Sequence, residues 1–274
     1  MKNLIKTWIK KNIPTKFIEL ISIKGISITK IPHEASVISD LFPLRIEEDW
    51  NTHFELLDFH RMLNPNEERV SLNVELFFYA ASGQFLAKKY IEISSPLKQS
   101  LDLKMICSEL GVKEDGCFAV FHQNNSSWVD DQNSFLAERG YIGYSNKRMG
   151  PIKSYVHGNL DAIALSSMGK LQLLGNTSFF SKKYNLQHIL DKNFDYELFF
   201  VNPTLKTLAI EVEEKFENSA VVASIDIPPN GISSYKKRHV KKNNYSQIII
   251  KSKLYLCRPL VFKIMPTSFD VFHG

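Results

Sequence analysis

With 274 residues the chain can bury one large core or two ordinary ones, since domains cluster near about 100–150 residues. Its 44% apolar and 23% charged residues argue against long intrinsic disorder. The excess of 34 Lys and Arg over 29 Asp and Glu, formally +5, is too small to imply a nucleic-acid partner by itself.

The cysteines are Cys107, Cys117 and Cys257, an odd set without regular spacing, which argues against a disulfide framework and against a paired-cysteine zinc or redox site. Reduced structural thiols in apolar strands, and hence a cytoplasmic location, are expected. No apolar run approaches the roughly 18 residues that cross a bilayer, so no transmembrane segment is expected. Lysines interrupt the first residues, which therefore lack the unbroken apolar stretch of a signal peptide.

Residues 1–16 are expected to form a short amphipathic helix. Leu4, Ile5, Trp8 and Ile9 share one helical face, Lys2, Lys6, Lys10 and Lys11 lie on the others, and Pro14 ends the pattern. Such a helix either docks its apolar stripe on this protein, a protein partner or a second subunit, or lies on an anionic membrane surface.

Beyond Phe17 the helical period gives way to short apolar runs broken by Gly, Pro, Asn and Ser, the punctuation of an all-β fold. Residues 17–48 are expected to add strands at the edge of a first unit over 17–160. Its strands are expected around Leu72 to Phe78, Phe85 to Ile93, Phe118 to Phe121 and Tyr141 to Tyr144. Residues 161–174 read equally as strand or helical turn. A second unit over 161–274 carries strands around Tyr196 to Val201, Leu208 to Val212, Ile225 to Ile227, Ile248 to Ile250 and Leu260 to Phe262.

Landmarks recur in the same order along the two units. Asn51-Thr52-His53-Phe54 matches Asn176-Thr177-Ser178-Phe179, and Glu75-Leu76-Phe77-Phe78 matches Glu197-Leu198-Phe199-Phe200. Ile91-Glu92-Ile93 matches Ile225-Asp226-Ile227. Arg139 followed by His157-Gly158 matches Arg258 followed by His273-Gly274. The expected architecture is therefore all-β, a tandem duplication of two β-sandwich units behind the N-terminal helix.

In the second unit, Phe200 to Pro203, Ile225 to Gly231 and Ser252 to Phe262 give the order strand, Asn-Pro turn, Ile-x-Ile-Pro-Pro-x-Gly, then Arg-Pro-Leu-Val-Phe. This stretch resembles the small β-sandwiches of the sensory-rhodopsin transducer type. The resemblance implies a binding or signalling module rather than an enzyme, and it carries over no ligand residue.

The paired Arg and His-Gly positions are the leading candidates for binding a small molecule. Arg139 with His157, and Arg258 with His273, offer a planar two-donor fork beside a tunable imidazole, suited to a carboxylate or phosphate. Asn159 follows the first pair. The plainer reading is that the glycines end strands and the imidazoles pack on aromatic neighbours. Residues 123–134 form a polar insertion in which Trp128, beside Asp130 and Asp131, either stacks on a sugar or covers the end of the core.

The enzymatic alternative gathers His122, His157 and His273, with Asp161 or Glu138, around a divalent metal. The spacing shows neither a His-Glu-x-x-His metal motif nor a Gly-x-Ser-x-Gly elbow, a Walker loop or a Gly-x-Gly-x-x-Gly turn. Residues 233–245 hold the basic cluster Lys236, Lys237, Arg238, His239, Lys241 and Lys242. It reads as a loop facing phosphates or anionic glycans, or more simply as a solvated edge strand. No aromatics interleave it, which argues against nucleic acid. A non-enzymatic module for an anionic or sugar-like ligand, including glycans, is the expectation. A metal-dependent enzyme and a scaffold or assembly subunit are its rivals.

Overall fold

The computed structural model describes residues 36–57, 73–93, 98–123, 140–151, 153–157, 164–167, 170–173, 177–204, 206–237, 245–254 and 258–274. The expected N-terminal helix lies outside them. The described part is mostly β, in four antiparallel sheets.

In the first half, β1 (Ser36–Leu44), β3 (Asn73–Ala80), β4 (Phe85–Glu92) and β6 (Gly116–Gln123) make one sheet in the order β1-β6-β3-β4. Against it lie β2 (Trp50–Leu57), β5 (Lys98–Asp102), β7 (Gly140–Asn146) and β8 (Ser154–Val156), ordered β5-β2-β7-β8. In the second half, β11 (Thr177–Asn185), β14 (Leu208–Lys215), β15 (Ala220–Ile227) and β17 (Tyr245–Leu254) run β11-β17-β14-β15, with the short β12 (Leu190–Asp191) beside β17. The facing sheet of β13 (Asp195–Val201), β16 (Ile232–Lys236), β18 (Leu260–Ile264) and β19 (Phe269–His273) runs β16-β13-β18-β19. Setting β1 against β11, β2 against β13, β3 to β8 against β14 to β19 in turn, gives the same strand order in both halves.

That correspondence supports some of the sequence landmarks and not others. Ile91-Glu92-Ile93 and Ile225-Asp226-Ile227 close β4 and β15, which occupy equivalent places. His157 and His273 end the equivalent hairpins β7–β8 and β18–β19. Glu75 to Phe78 lies on β3, whereas Glu197 to Phe200 lies on β13, the counterpart of β2. Asn51 to Phe54 lies on β2, whereas Thr177 to Phe179 opens β11. Glu-Leu-Phe-Phe marks a strand covered on both faces, a burial state and not a place in the topology.

Three apolar clusters explain that burial. Phe42, Phe54, Phe78, Phe118, Ile142 and Tyr144 fill the first sandwich. Leu198, Phe200, Val212, Ile248, Ile250 and Val261 fill the second. The third joins the halves: Leu41, Phe77, Tyr79 and Phe121, on the outer face of the first sheet, meet Val201 and Ile232. Trp50 at the end of the first core packs edge-on against Phe262 and Phe269, 5.5 and 4.9 Å between ring centres. The central strands β13 and β18 are thus covered on both faces, which is why Leu198 to Val201 and Leu260 to Phe262 read as unbroken apolar runs.

A turn-to-turn contact completes this junction. Pro228-Pro229-Asn230-Gly231 docks on the β3–β4 turn: Ile232 N–H donates to Ala81 C=O at 3.1 Å, and Cys117 Sγ–H to Asn230 C=O at 3.1 Å. A Cβ on Gly83 would lie 1.7 Å from the Pro229 carbonyl oxygen, so only glycine fits there.

Residues 17–48 are expected to add strands at the edge of the first unit; of the part described, β1 lies inside its sheet, because β9 (Ala164–Ser167) pairs with it and β10 (Lys170–Leu173) with β9. Of residues 161–174, read as strand or helical turn, 164–167 and 170–173 are strands β9 and β10 of the first half's sheet. Cys107 lies not on a strand but on helix α1 (Leu103–Leu110), which buries Leu103, Ile106 and Cys107. Asp102 caps α1 by accepting from Met105 N–H, and Gly111 ends it in the left-handed conformation at φ 75°. Among the described residues no helix is long and apolar enough to cross a membrane.

Candidate functional site

The outward face of β5-β2-β7-β8 gathers the densest set of polar side chains. Strand β2 alternates: Trp50, Phe54 and Leu56 enter the core, while Asn51, His53 and Glu55 take the opposite face. His53 and Glu55 are each only 7% exposed. The neighbouring strands supply their partners. His53 Nε2 shares a hydrogen bond with Ser145 Oγ of β7 at 2.9 Å. Glu55 accepts from Ser100 Oγ of β5 at 2.5 Å and from Tyr155 OH of β8 at 3.0 Å, and Lys98 Nζ stands 3.2 Å away. Asn51 Nδ2 donates to Asp102 Oδ2 at 2.9 Å.

Gly143 sets the shape of this face. It lies opposite Tyr155 in the β7–β8 ladder, and a Cβ there would fall 2.4 Å from the Tyr155 ring. Without that atom the ring lies down over the strand. Tyr155 remains 42% exposed, so an aromatic surface faces solvent with its hydroxyl tied to Glu55. Beside it the rings of Tyr141 and His157 meet at 4.6 Å.

The charge states follow from these contacts. Burial alone would push the Glu55 carboxyl up, but hydrogen bonds from Ser100, Lys98 and Tyr155 outweigh it and hold the group below its ordinary value. Burial, and next the charge of Lys153, lower the His53 imidazole, with Asp102 and Glu55 opposing. Burial and the bond to Glu55 push the Tyr155 phenol up to about 12. At neutral pH the face thus presents a fixed carboxylate, a neutral imidazole, hydroxyls and flat rings.

No protein-family model matches this chain, and no curated protein matches it either.

Of the residues singled out in the sequence, His157 belongs to this face. Arg258 and His273 lie elsewhere, at one end of β18–β19, where His273 pairs with Leu260 and Gly274 N–H donates to Pro259 C=O. Arg139, Trp128 and Asn159 lie outside the described residues, as do Glu138, Asp161 and Cys257.

The expected metal trio does not assemble. His122 is buried on β6, paired with Val37 and Val74, whereas His157 and His273 end strands of two other sheets. Among the described residues no three His, Cys, Asp or Glu side chains come together to hold a metal. The basic cluster is also not simply a solvated edge. Lys237 is buried, donates to Asp191 C=O at 2.5 Å and lies over the Tyr196 ring. Residues 238–244 lie outside the described part.

Sequence reasoning passed over His53, Glu55, Ser100, Ser145 and Tyr155. The available signal was the alternation Asn51-x-His53-x-Glu55 within Trp50-x-Thr52-x-Phe54-x-Leu56, which puts three polar groups on one face of a strand. The Ser145–His53 pair resembles a nucleophile beside its base. Asp102, opposite His53 in register, accepts from Asn51 and from the α1 backbone.

Proposed function

We propose that this chain is a non-enzymatic binding module that takes a sugar-like, hydroxyl-rich ligand on the open face of β5-β2-β7-β8. The observation that carries this reading is the Tyr155 ring laid over Gly143 with its hydroxyl fixed to an ionised Glu55. A sugar offers an apolar C–H face to such a ring and hydroxyls to the acceptors and donors around it. Glu55, Ser100, Lys98 and the Ser145–His53 pair are already held in place by one another, so little ordering is needed on binding. Glu55 at the centre favours a neutral polyol over an anionic ligand.

The same proposal includes an origin of the two halves by duplication, supported by their common strand order and by the matching ends of the β7–β8 and β18–β19 hairpins. It also includes a cytoplasmic location, supported by the buried free thiols of Cys107 and Cys117. The likeness to sensory-rhodopsin transducer sandwiches points to the same class of function, although its Ile225 to Gly231 motif serves here in the junction between halves.

The test is a glycan array probed with the whole protein, followed by calorimetry on any sugar retained. Tyr155→Ala is expected to weaken binding about tenfold, the equivalent of 1.4 kcal/mol, with unchanged circular dichroism. Absence of any retained sugar, or equal affinity of the variant, rejects the reading.

A further inference from the structure

The outward side chains of β5-β2-β7-β8 stand in rows across the strands, fixed by register. Ser100, Glu55 and Tyr141 form one row. Asp102, His53, Gly143 and Tyr155 form the next. Val156 pairs with Ile142 on the core side, so His157, one residue beyond it, stands on the outer face beside Tyr141 and completes the first row. Tyr155 and His157 are exposed, and Tyr141 is half-buried.

Each row carries aromatic surface. In one, Tyr155 lies over Gly143. In the other, the Tyr141 and His157 rings meet at 4.6 Å, tilted by 57°. Two residues of strand separate the rows, about 6.5–6.8 Å, a step comparable with the length of one ring in a linked sugar chain. Glu55 joins them: it belongs by register to the row of Tyr141, yet it accepts from the Tyr155 hydroxyl of the other. A carboxylate has about four lone-pair sites, and Ser100, Lys98 and Tyr155 engage three, which leaves capacity for one ligand hydroxyl between the rows. The outer face of β14 and β17 differs, for there Lys251 pairs with Glu211 and Glu213, charge meeting charge.

Resting on the reading of this face as a site for hydroxyl-rich ligands, we infer that its ligand is an oligosaccharide of at least two linked rings. One ring lies on Tyr155, the next on the Tyr141–His157 pair, and Glu55 holds a hydroxyl between them. A monosaccharide covers one row and leaves the other wet. A second ring, covalently tied to the first, meets its surface without a second loss of translational freedom, so chain length raises affinity beyond what one ring contact gives. The sugar chain runs along β7 and β8, the direction in which the two aromatic stations follow one another. His157 is then a specificity residue for the length of the ligand.

Titration of the full chain on a glycan array carrying glucose, galactose, mannose and N-acetylglucosamine, each as chains of one, two and three rings, tests this. Two-ring members are expected to be held about tenfold more tightly than their single rings, with a smaller gain from the third ring. Tyr155→Ala is expected to weaken one- and two-ring members alike. His157→Ala is expected to bring the two-ring to one-ring ratio down to about two, and His157→Phe, which keeps a flat ring, to restore it. Single rings held as tightly as pairs, or a His157→Ala ratio equal to that of the wild type, overturn the inference and leave the sugar site on this face standing. Retention of no array member rejects the sugar site, and the two-ring ligand with it.

Discussion

Arg45 reaches from the first half to Glu197 in the second, its Nη2 standing 3.7 Å from Oε2. The guanidinium lies over three rings at once, 4.1 Å from the centre of Trp50, 4.7 Å from Phe262 and 5.1 Å from Phe199. Its Nε and Nη1 are buried with no hydrogen-bond partner among the described residues. Stacking therefore contributes more here than hydrogen bonding does. Arg45→Lys keeps the charge but loses the planar surface and should destabilise by on the order of 1–2 kcal/mol. Arg45→Met keeps apolar contact and should cost less than Arg45→Ala, which leaves a void among the rings. Urea unfolding of the three variants gives the ranking, and Lys equal to wild type would contradict the stacking argument.

His53 and Glu55 give the outer face a two-stage acid response. His53 is depressed in the folded protein, so the unfolded chain binds the extra proton first. The stability it contributes is complete above its ordinary value near 6.5 and is lost as pH falls through the lower folded value. Glu55 is also depressed, so its contribution is complete above about 4.5 and disappears only in more acid solution. Thermal melts from pH 8 to pH 3 should show His53→Gln flattening the upper stage and Glu55→Gln flattening the lower. Identical pH profiles for wild type and His53→Gln would show that the imidazole is not responsible.

How much of this was legible in the sequence depends on which physical signal each element carries. Strands such as β13 and β18 were visible because burial on two faces leaves an unbroken apolar run, a local property. The helix α1 was readable too, since Asp102 and Gly111 bracket Leu103, Ile106, Cys107 and Leu110, but its eight residues were lost among strands. The pairing of Glu75 to Phe78 with Glu197 to Phe200 misled because both segments are doubly buried for different reasons. β3 is covered on its outer face by the second half, and β13 is covered in return by the first. No local pattern records which sheet lies outside a strand. The candidate site was hidden for a related reason: Glu55, Ser100 and Tyr155 meet only through the order β5-β2-β7-β8, which joins residues 45 and 100 positions apart.

Two glycines with nearly the same backbone angle should respond differently to alanine. Gly83 has φ +82° and Gly111 φ +75°, so each substitution carries the left-handed penalty of roughly 1–2 kcal/mol. At Gly111 nothing lies within 4 Å of the added Cβ, so that penalty is the whole cost. At Gly83 the Cβ would fall 1.7 Å from the carbonyl oxygen of Pro229 and 3.2 Å from the amide nitrogen of Gly231, both backbone atoms of the docked turn. Those atoms cannot rotate away as a side chain does, so the two turns must separate. Separation breaks the Ile232-to-Ala81 hydrogen bond and loosens the contact of Ile232 with Tyr79 and Phe77. Gly83→Ala should therefore destabilise by more than Gly111→Ala, by at least a further 1–3 kcal/mol, and should raise protease sensitivity between the halves. Paired urea titrations with limited proteolysis measure both effects, and equal midpoints for the two variants would mean that the turn contact contributes nothing to stability.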